Sequence, residues 1–269
     1  MIDYKIVIPT YKRYELLKKN TLKLLGKYRI NPKRIYIFVA NKTEAKKYEK
    51  ILPEKAYNEI IIGVKGLKNQ RNFITKYFNE GEYIIQMDDD IEKLFRLIIT
   101  NTSSKKTLKK ARPNKNYKLQ ELDDLHKFIN NAYKLLKKNK LYLWGVYPIA
   151  NPFFMKPQIT TDLRFIVGPF WGFINRHDTD LTITIDEKEN VERTIKYFIK
   201  DNGVLRFNNI TIKTNYYKNP GGLQAIKKDR KKEAMKSAIY LTKKYPNLAK
   251  LKLNKKSGVP EVVLMKPKK

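Results

Sequence analysis

Three consecutive aspartates, Asp88, Asp89 and Asp90, follow an apolar run, Tyr83-Ile84-Ile85-Gln86-Met87. The run has the length of one buried strand, and in an open α/β sheet acids released at a strand's carboxyl end belong at a ligand site rather than in the core. Successive side chains there point to opposite sides, so Asp88 and Asp90 can face one way while Asp89 faces the other. Two like-facing carboxylates about 6 to 7 Å apart along the chain can hold one hard divalent cation, Mg or Mn, which takes oxygen ligands and bridges phosphates. The alternative is an acidic turn whose last Asp caps a helix starting at Ile91.

Three other stretches could do chemistry. Asp186-Glu187-Lys188-Glu189-Asn190 precedes a segment of helical spacing, Val191 to Lys200. Its acids either complement the positive end of a helix or bring a general base to an acceptor hydroxyl. Trp171 and Gly172 sit between Phe170 and Phe173. Such aromatics stack on a sugar face or an extruded base, and they also form cores; we read Trp171 and Gly172 as acceptor lining. Gly221 and Gly222, in YYKNPGGLQ, permit positive φ and close backbone approach, useful for phosphates or for a turn.

Elements must position these residues. Lys5 to Pro9 is a β-branched apolar run closed by proline, a first strand with Thr10 to Arg13 as the loop at its end. A helix with Leu16, Leu17, Leu24 and Leu25 on one face follows from Tyr14 to Leu25 and stops at Gly26. Arg34 to Ala40 reads as the second strand, Asn41 to Lys50 as a helix, Glu59 to Val64 as the third strand, Leu67 to Phe78 as a helix and Tyr83 to Met87 as the fourth strand. This alternation at short spacing argues a parallel, doubly wound sheet. Downstream, the pattern predicts a helix from Leu119 to Lys138 and strands at Leu141 to Ile149, Leu163 to Val167, Asp180 to Asp186 and Gly203 to Ile212. A lysine-laced helix is predicted from Lys227 to Lys244. Asn101 to Lys118 is basic and polar without one acid, a mobile loop by composition, placed to close over substrate or to track a phosphate backbone.

Composition bounds the partners. A net charge of +32 over 269 residues predicts attraction to a polyanion: nucleic acid, anionic lipid or a sugar nucleotide. Lysine's excess over arginine, with abundant Ile, Asn and Tyr, is also how an AT-rich genome biases its proteins. The absence of cysteine excludes a disulfide framework and a thiolate metal site, and two histidines, His126 and His177, exclude a histidine-rich zinc site. No apolar run approaches the roughly 18 residues of a membrane span and no signal peptide is evident, so the protein is expected to be soluble and intracellular.

IVIPTYKR near the N-terminus, GLKNQRN on the third helix and GEYIIQMDDD together resemble the nucleotide-sugar-binding half of a GT-A glycosyltransferase, with family 2 enzymes as the familiar relatives. GPFWGFINR, ENVERTIKYFIKDNGVLRFNNI and YYKNPGGLQ are similar to the TET-associated glycosyltransferases and their viral, phage and base J relatives, which glycosylate hydroxymethylated pyrimidines in DNA. The resemblance implies an α/β, Rossmann-like GT-A fold, a mostly parallel sheet flanked by helices with a mixed C-terminal acceptor half. Residues 1–100 would form the nucleotide-sugar-binding half, 101–118 the flexible basic loop, 119–225 the acceptor-binding half, and 226–269 a basic C-terminal helix and tail.

The same resemblance makes the Asp triplet a DxD-type motif, with Asp90 the chief metal ligand, Asp88 beside it near the ribose, and Asp89 able to serve either role. Thr10, Tyr11 and Arg13 would border the nucleobase; Lys68, Arg71 and Asn72 would line the nucleotide or diphosphate. Glu189 is the implied base ahead of Asp186 and Glu187, although relatives often carry an acidic pair where this chain has Glu189-Asn190. Many also recruit a C-terminal histidine as third metal ligand, and neither His126 nor His177 lies there, so cation binding would depend on the arriving nucleotide. The implied reaction is Mn- or Mg-dependent transfer from a nucleoside diphosphate sugar, most simply a UDP-hexose, with inversion. The implied acceptor is a hydroxymethylated pyrimidine in DNA, which would place the protein in a cytoplasm, viral factory or host nucleoid. Two other readings stand beside it: a glycan, protein or lipid acceptor with the charge set by codon usage, and a nucleic-acid-binding module that keeps the fold without catalysis.

Overall fold

The computed structural model describes residues 2–99, 117–214, 221–222, 230–253 and 260–267. Alternating apolar residues give the first strand two buried faces: β1 (Tyr4–Pro9) sends Tyr4, Ile6 and Ile8 into one core cluster and Val7 into another. A helical stretch follows as α1 (Tyr14–Leu17), a π-helical turn (Lys18–Leu22) and α2 (Lys23–Lys27). Then come β2 (Ile35–Val39), α3 (Lys42–Ile51), β3 (Glu59–Ile62), α4 (Leu67–Tyr77) and β4 (Tyr83–Met87). The Asn41 side chain caps α3 by accepting from Glu44 N at 2.9 Å, and Gly66, at φ 97°, turns the chain into α4. The second half adds β5 (Lys93–Ile99), β6 (Tyr117–Glu121), α5 (Leu125–Lys138), β7 (Leu143–Tyr147), β8 (Ile159–Thr160), β9 (Phe170–Ile174), α6 (Glu189–Asp201), β10 (Leu205–Lys213) and α7 (Arg230–Lys244). A hairpin, β11 (Ala249–Lys252) and β12 (Glu261–Leu264), comes last.

The main sheet runs β3-β2-β1-β4-β9-β7-β10-β5-β6, with β8 paired to β10. The first four strands are parallel. Beyond them β9 runs against both β4 and β7, β10 runs with β7, and β5 runs against β10 and β6. The sheet is therefore mostly parallel in its first half and mixed in its second, as the resemblance implied. Leu17, Leu25, Tyr48 and Ile129 bring α1, α2, α3 and α5 onto one face; Ile74 and Tyr197 bring α4 and α6 onto the other. A third cluster joins Val191 and Ile195 of α6 to Ala238 and Leu241 of α7 and to Ala249 and Val262 of the hairpin. Among the described residues no helix is long and apolar enough to cross a membrane.

Four local expectations are corrected. No helix starts at Ile91; its N–H donates to the Thr21 hydroxyl at 3.0 Å and the chain enters β5. The helix expected from Leu119 begins at Leu125, capped by Asp124, because Tyr117–Glu121 is instead paired to β5 as β6. Residues 163–167 form no strand: Ile166 N takes the Thr194 hydroxyl at 3.2 Å in place of a ladder partner. Residues 180–186 alternate in burial as predicted, yet no strand lies there. The Asn72 carboxamide both donates to Ile183 O and accepts from Ile183 N, each at 2.9 Å, and Glu192 accepts from Thr184 N, so side chains satisfy the backbone that a ladder would have satisfied. The basic loop expected at 101–118 lies, up to residue 116, outside the described residues; Tyr117 and Lys118 belong to β6.

Candidate active site

Parallel pairing of β1 with β4 aligns Val7 with Gln86, so three residues further on Thr10 meets Asp89. The Thr10 hydroxyl donates to Asp89 Oδ2 at 2.6 Å and Arg13 Nη1 to Asp89 Oδ1 at 3.1 Å. Arg13 also lies 3.7 Å from Asp90 Oδ2, and the Thr214 hydroxyl donates to Asp90 Oδ1 at 2.7 Å. Asp88 turns the other way, to Arg71 Nη2 at 3.2 Å, while Arg71 Nη1 donates to the Gln86 carboxamide. The expected pairing of Asp88 with Asp90 is thus replaced: Asp89 and Asp90 share Arg13. The cause is that β4 ends at Met87 and Asp89-Asp90 occupy a turn, where the twofold alternation of a strand no longer applies.

Charge is concentrated here. Burial pushes the Asp89 carboxyl up to about 7; Arg13 opposes the rise and Asp90 adds to it. Burial also raises Asp88, with Arg71 opposing and Asp90 and Glu189 adding, which places all four carboxylates in one field. The loop that carries Arg13 is fixed from α3, since Glu44 Oε2 accepts from Lys12 N at 2.8 Å and the Tyr48 hydroxyl accepts from Arg13 N at 3.0 Å. Tyr11 offers its carbonyl to Gly222 N at 2.9 Å. Gly221 has φ +81°, and a Cβ there would stand 2.8 Å from both Lys12 O and Arg13 Cγ. The glycine pair, expected at the acceptor, therefore seats on the Tyr11–Arg13 loop.

The acids before α6 separate into different roles. Asp186 Oδ1 accepts from Lys68 N at 2.9 Å, capping α4, and Lys68 Nζ reaches Thr184 O at 3.3 Å. Glu187 is buried. Glu189 accepts from Arg193 Nη1 at 2.7 Å and lies 3.9 Å from Arg71 Nε, beside the Asp88 end of the triplet. A Cβ added at Gly168 would lie 3.7 Å from Glu189 Oε1, in ordinary contact with it. The Arg193 guanidinium lies 3.6 Å above the buried Trp171 ring, and burial lowers it to about 10. Trp171 supports this network from beneath, and Gly172 lets Trp144 pack against the strand, where a Cβ would meet its ring at 2.4 Å. Asn72 is engaged with Ile183 as described. Arg193, Thr214 and Tyr48 were not singled out from the sequence; the spacing of Glu189 and Arg193, four apart on a helix, was the one local signal.

Among the described residues no three Asp, Glu or His side chains converge as a preformed metal cage. The donor set fits a hard cation that brings its own ligands. Asp89 and Asp90 offer carboxylate oxygens beside Arg13, and a Mg- or Mn-type ion takes such oxygens together with phosphate oxygens and water.

A model of the TET-associated glycosyltransferase family matches residues 4–212. The solved structure of S. aureus TarS is similar at a TM-score of 0.50 and 14% identity, covering 90% of this chain and 40% of that one. S. aureus TarS 1-349 in complex with UDP is similar at a TM-score of 0.48 and 15% identity, covering 78% of this chain and 59% of that one. The chain spans less than two thirds of either TarS chain. At such identity the likeness to TarS is one of fold, a large mostly parallel sheet flanked by helices. A comparison with curated proteins gives no match.

Proposed function

The chain belongs to the TET-associated glycosyltransferase family, and on that premise we propose that it moves a sugar from a nucleoside diphosphate sugar, most simply a UDP-hexose, to the hydroxyl of a hydroxymethylated pyrimidine in DNA. The observation that carries this reading is the convergence of Asp88, Asp89, Asp90 and Glu189 with Arg13 and Arg71 at the carboxyl ends of β1 and β4. Ligands of open α/β sheets bind there. The net charge of +32 supports a polyanionic acceptor.

In this reading Asp89 and Asp90 would hold Mn or Mg, which would supply Lewis-acid stabilisation of the departing diphosphate. Thr10, Arg13 and Thr214 keep those two carboxylates oriented. Arg71 sets Asp88 toward the donor and sits between it and Glu189. Glu189 Oε1 takes the proton of the acceptor hydroxyl. The deprotonated acceptor oxygen then bonds to the anomeric carbon as the bond from that carbon to the diphosphate breaks on the opposite face, inverting the centre. Exposing the target base would require extruding it from a duplex.

The test incubates the protein with Mn, a panel of nucleotide sugars, and plain or hydroxymethylated DNA, then digests the DNA to nucleosides for mass spectrometry. A hexose-sized gain on the hydroxymethylated nucleoside alone, lost in Asp90→Ala, is the expected result. Sugar nucleotide consumed with DNA unmodified moves the acceptor to glycans or proteins. Neither binding nor turnover of any sugar nucleotide overturns the enzyme reading and favours a binding module.

A further inference from the structure

Residues 213–269 lie beyond the span matched by the family model. They carry 17 lysines and arginines against three acids, where residues 1–212 carry 41 against 23. A genome's lysine bias raises cations throughout a chain; it does not strip acids from one fifth of it. The described part of this segment is also ordered into rows. On α7, Lys232, Lys236 and Lys243 are exposed on the side opposite the buried Ala234, Ala238 and Leu241, a row about 16 Å long at the helical rise. On β11, Lys250 and Lys252 are exposed while Ala249 is buried between strand and helix.

These rows are joined to the candidate base. The third core cluster seats α7 and the hairpin on α6, whose first residue is Glu189. Lys188 Nζ donates to Pro260 O at 2.6 Å, and the Tyr240 hydroxyl lies 3.1 Å from that of Thr184. A polyanion held by the rows is therefore held at a fixed distance from the segment 184–189.

We propose that the exposed faces of α7 and β11 form a docking surface for the phosphate backbone of duplex DNA, anchored through the buried face of α7 to α6, the helix that Glu189 opens. The proposal rests on DNA as acceptor, and it adds where the duplex is gripped. Its partner chemistry is a line of phosphates, one charge per about 1.7 Å of duplex axis, along which a row of about 16 Å can make several contacts. Binding of this kind depends on salt through counterion release.

The experiment measures duplex affinity by fluorescence anisotropy at several salt concentrations for wild type, for Lys243→Gln/Lys250→Gln/Lys252→Gln, and for a control triple on α5, Lys127→Gln/Lys134→Gln/Lys138→Gln. The slope of log K against log salt should fall by about 0.9 per lost contact, hence by 2 to 3 in the first triple, and stay near wild type in the control. If that triple does not fold, Lys250→Gln/Lys252→Gln should still lower the slope by 1 to 2. Equal losses in module and control, or no loss in the module, overturn the proposal. A module loss seen with anionic vesicles and not with DNA also overturns it, in favour of a lipid surface. Wild-type protein that glycosylates hydroxymethylated duplex while the module triple binds it equally well removes the docking surface alone; wild type that neither binds nor modifies DNA removes the acceptor reading with it.

Discussion

Removing the charge of Glu189 tests both what holds the site and what runs it. Glu189 and Arg193 are each under 5% exposed, joined at 2.7 Å, and Arg193 Nε and Nη2 have no hydrogen-bond partner among the described residues. Glu189→Leu would leave a buried guanidinium resting on Trp171 with little compensation, which costs about 3 to 5 kcal/mol. Arg193→Met should fall at the lower end, about 3 kcal/mol, because Arg71 stays 3.9 Å from Glu189. The double variant replaces the pair by apolar groups and should recover most of the loss, so that with a residual cost of about 1 kcal/mol the coupling is about 5 to 7 kcal/mol. At about 2 °C per kcal/mol for a chain of this size, the Glu189→Leu Tm drops by roughly 6 to 10 °C. Urea unfolding of the four proteins measures the cycle, and sugar transfer is assayed beside it. If the singles each lose under about 1 kcal/mol and the coupling is near zero, the pair does not hold the site together, against expectation for a buried pair. If the restabilised double variant also regains turnover, Glu189 is a support and not the base.

Asp89 gives a pH signature. Its folded carboxyl is raised to about 7 and the unfolded one ionises near 4, so the folded state binds the proton more tightly and its stabilising contribution, complete below about pH 4, is lost as pH rises to 7. Asp89→Asn should therefore stabilise the metal-free protein by up to about 4 kcal/mol above pH 7 and hardly at all at pH 4; a pH-independent gain in urea unfolding contradicts the burial account. Thr214→Val removes the hydroxyl that fixes Asp90, a loss of about 1 to 1.5 kcal/mol, and should raise the donor KM about five- to tenfold in Mn with Tm little changed. An unaltered KM would show that Asp90 needs no such support. Gly221→Ala puts a Cβ 2.8 Å from Lys12 O at φ +81°, strain of about 1 to 2 kcal/mol in the left-handed region before the clash. It should weaken donor binding measured by calorimetry at least as much as Thr214→Val, and wild-type affinity would mean that the Tyr11–Arg13 loop does not read the donor.

The first 95 residues were legible because each strand and helix there is short, strongly patterned and followed at once by the next. The sequence placed the three aspartates at the end of β4 and named Arg13 and Arg71. Their mutual orientation was not legible, since it depends on a turn that begins at Asp89, two residues after Met87. Alternation at 180–186 correctly marked which residues are buried, yet alternation reports exposure and not pairing, and here Asn72 and Glu192 stand where a neighbouring strand would. The groups that set the carboxylates' charge come from far along the chain: Arg13 from 76 residues before Asp89, Thr214 from 124 after Asp90, and Asp186 caps Lys68 across 118. Local pattern supplies acids at an edge; only the strand order decides which cation or hydroxyl each acid meets. That order gives the three aspartates unequal parts. Asp89 and Asp90 answer to Arg13 on the β1 side, while Asp88 answers to Arg71, which also faces Glu189. Asp88 is thus the aspartate that shares a cation, Arg71, with the candidate base.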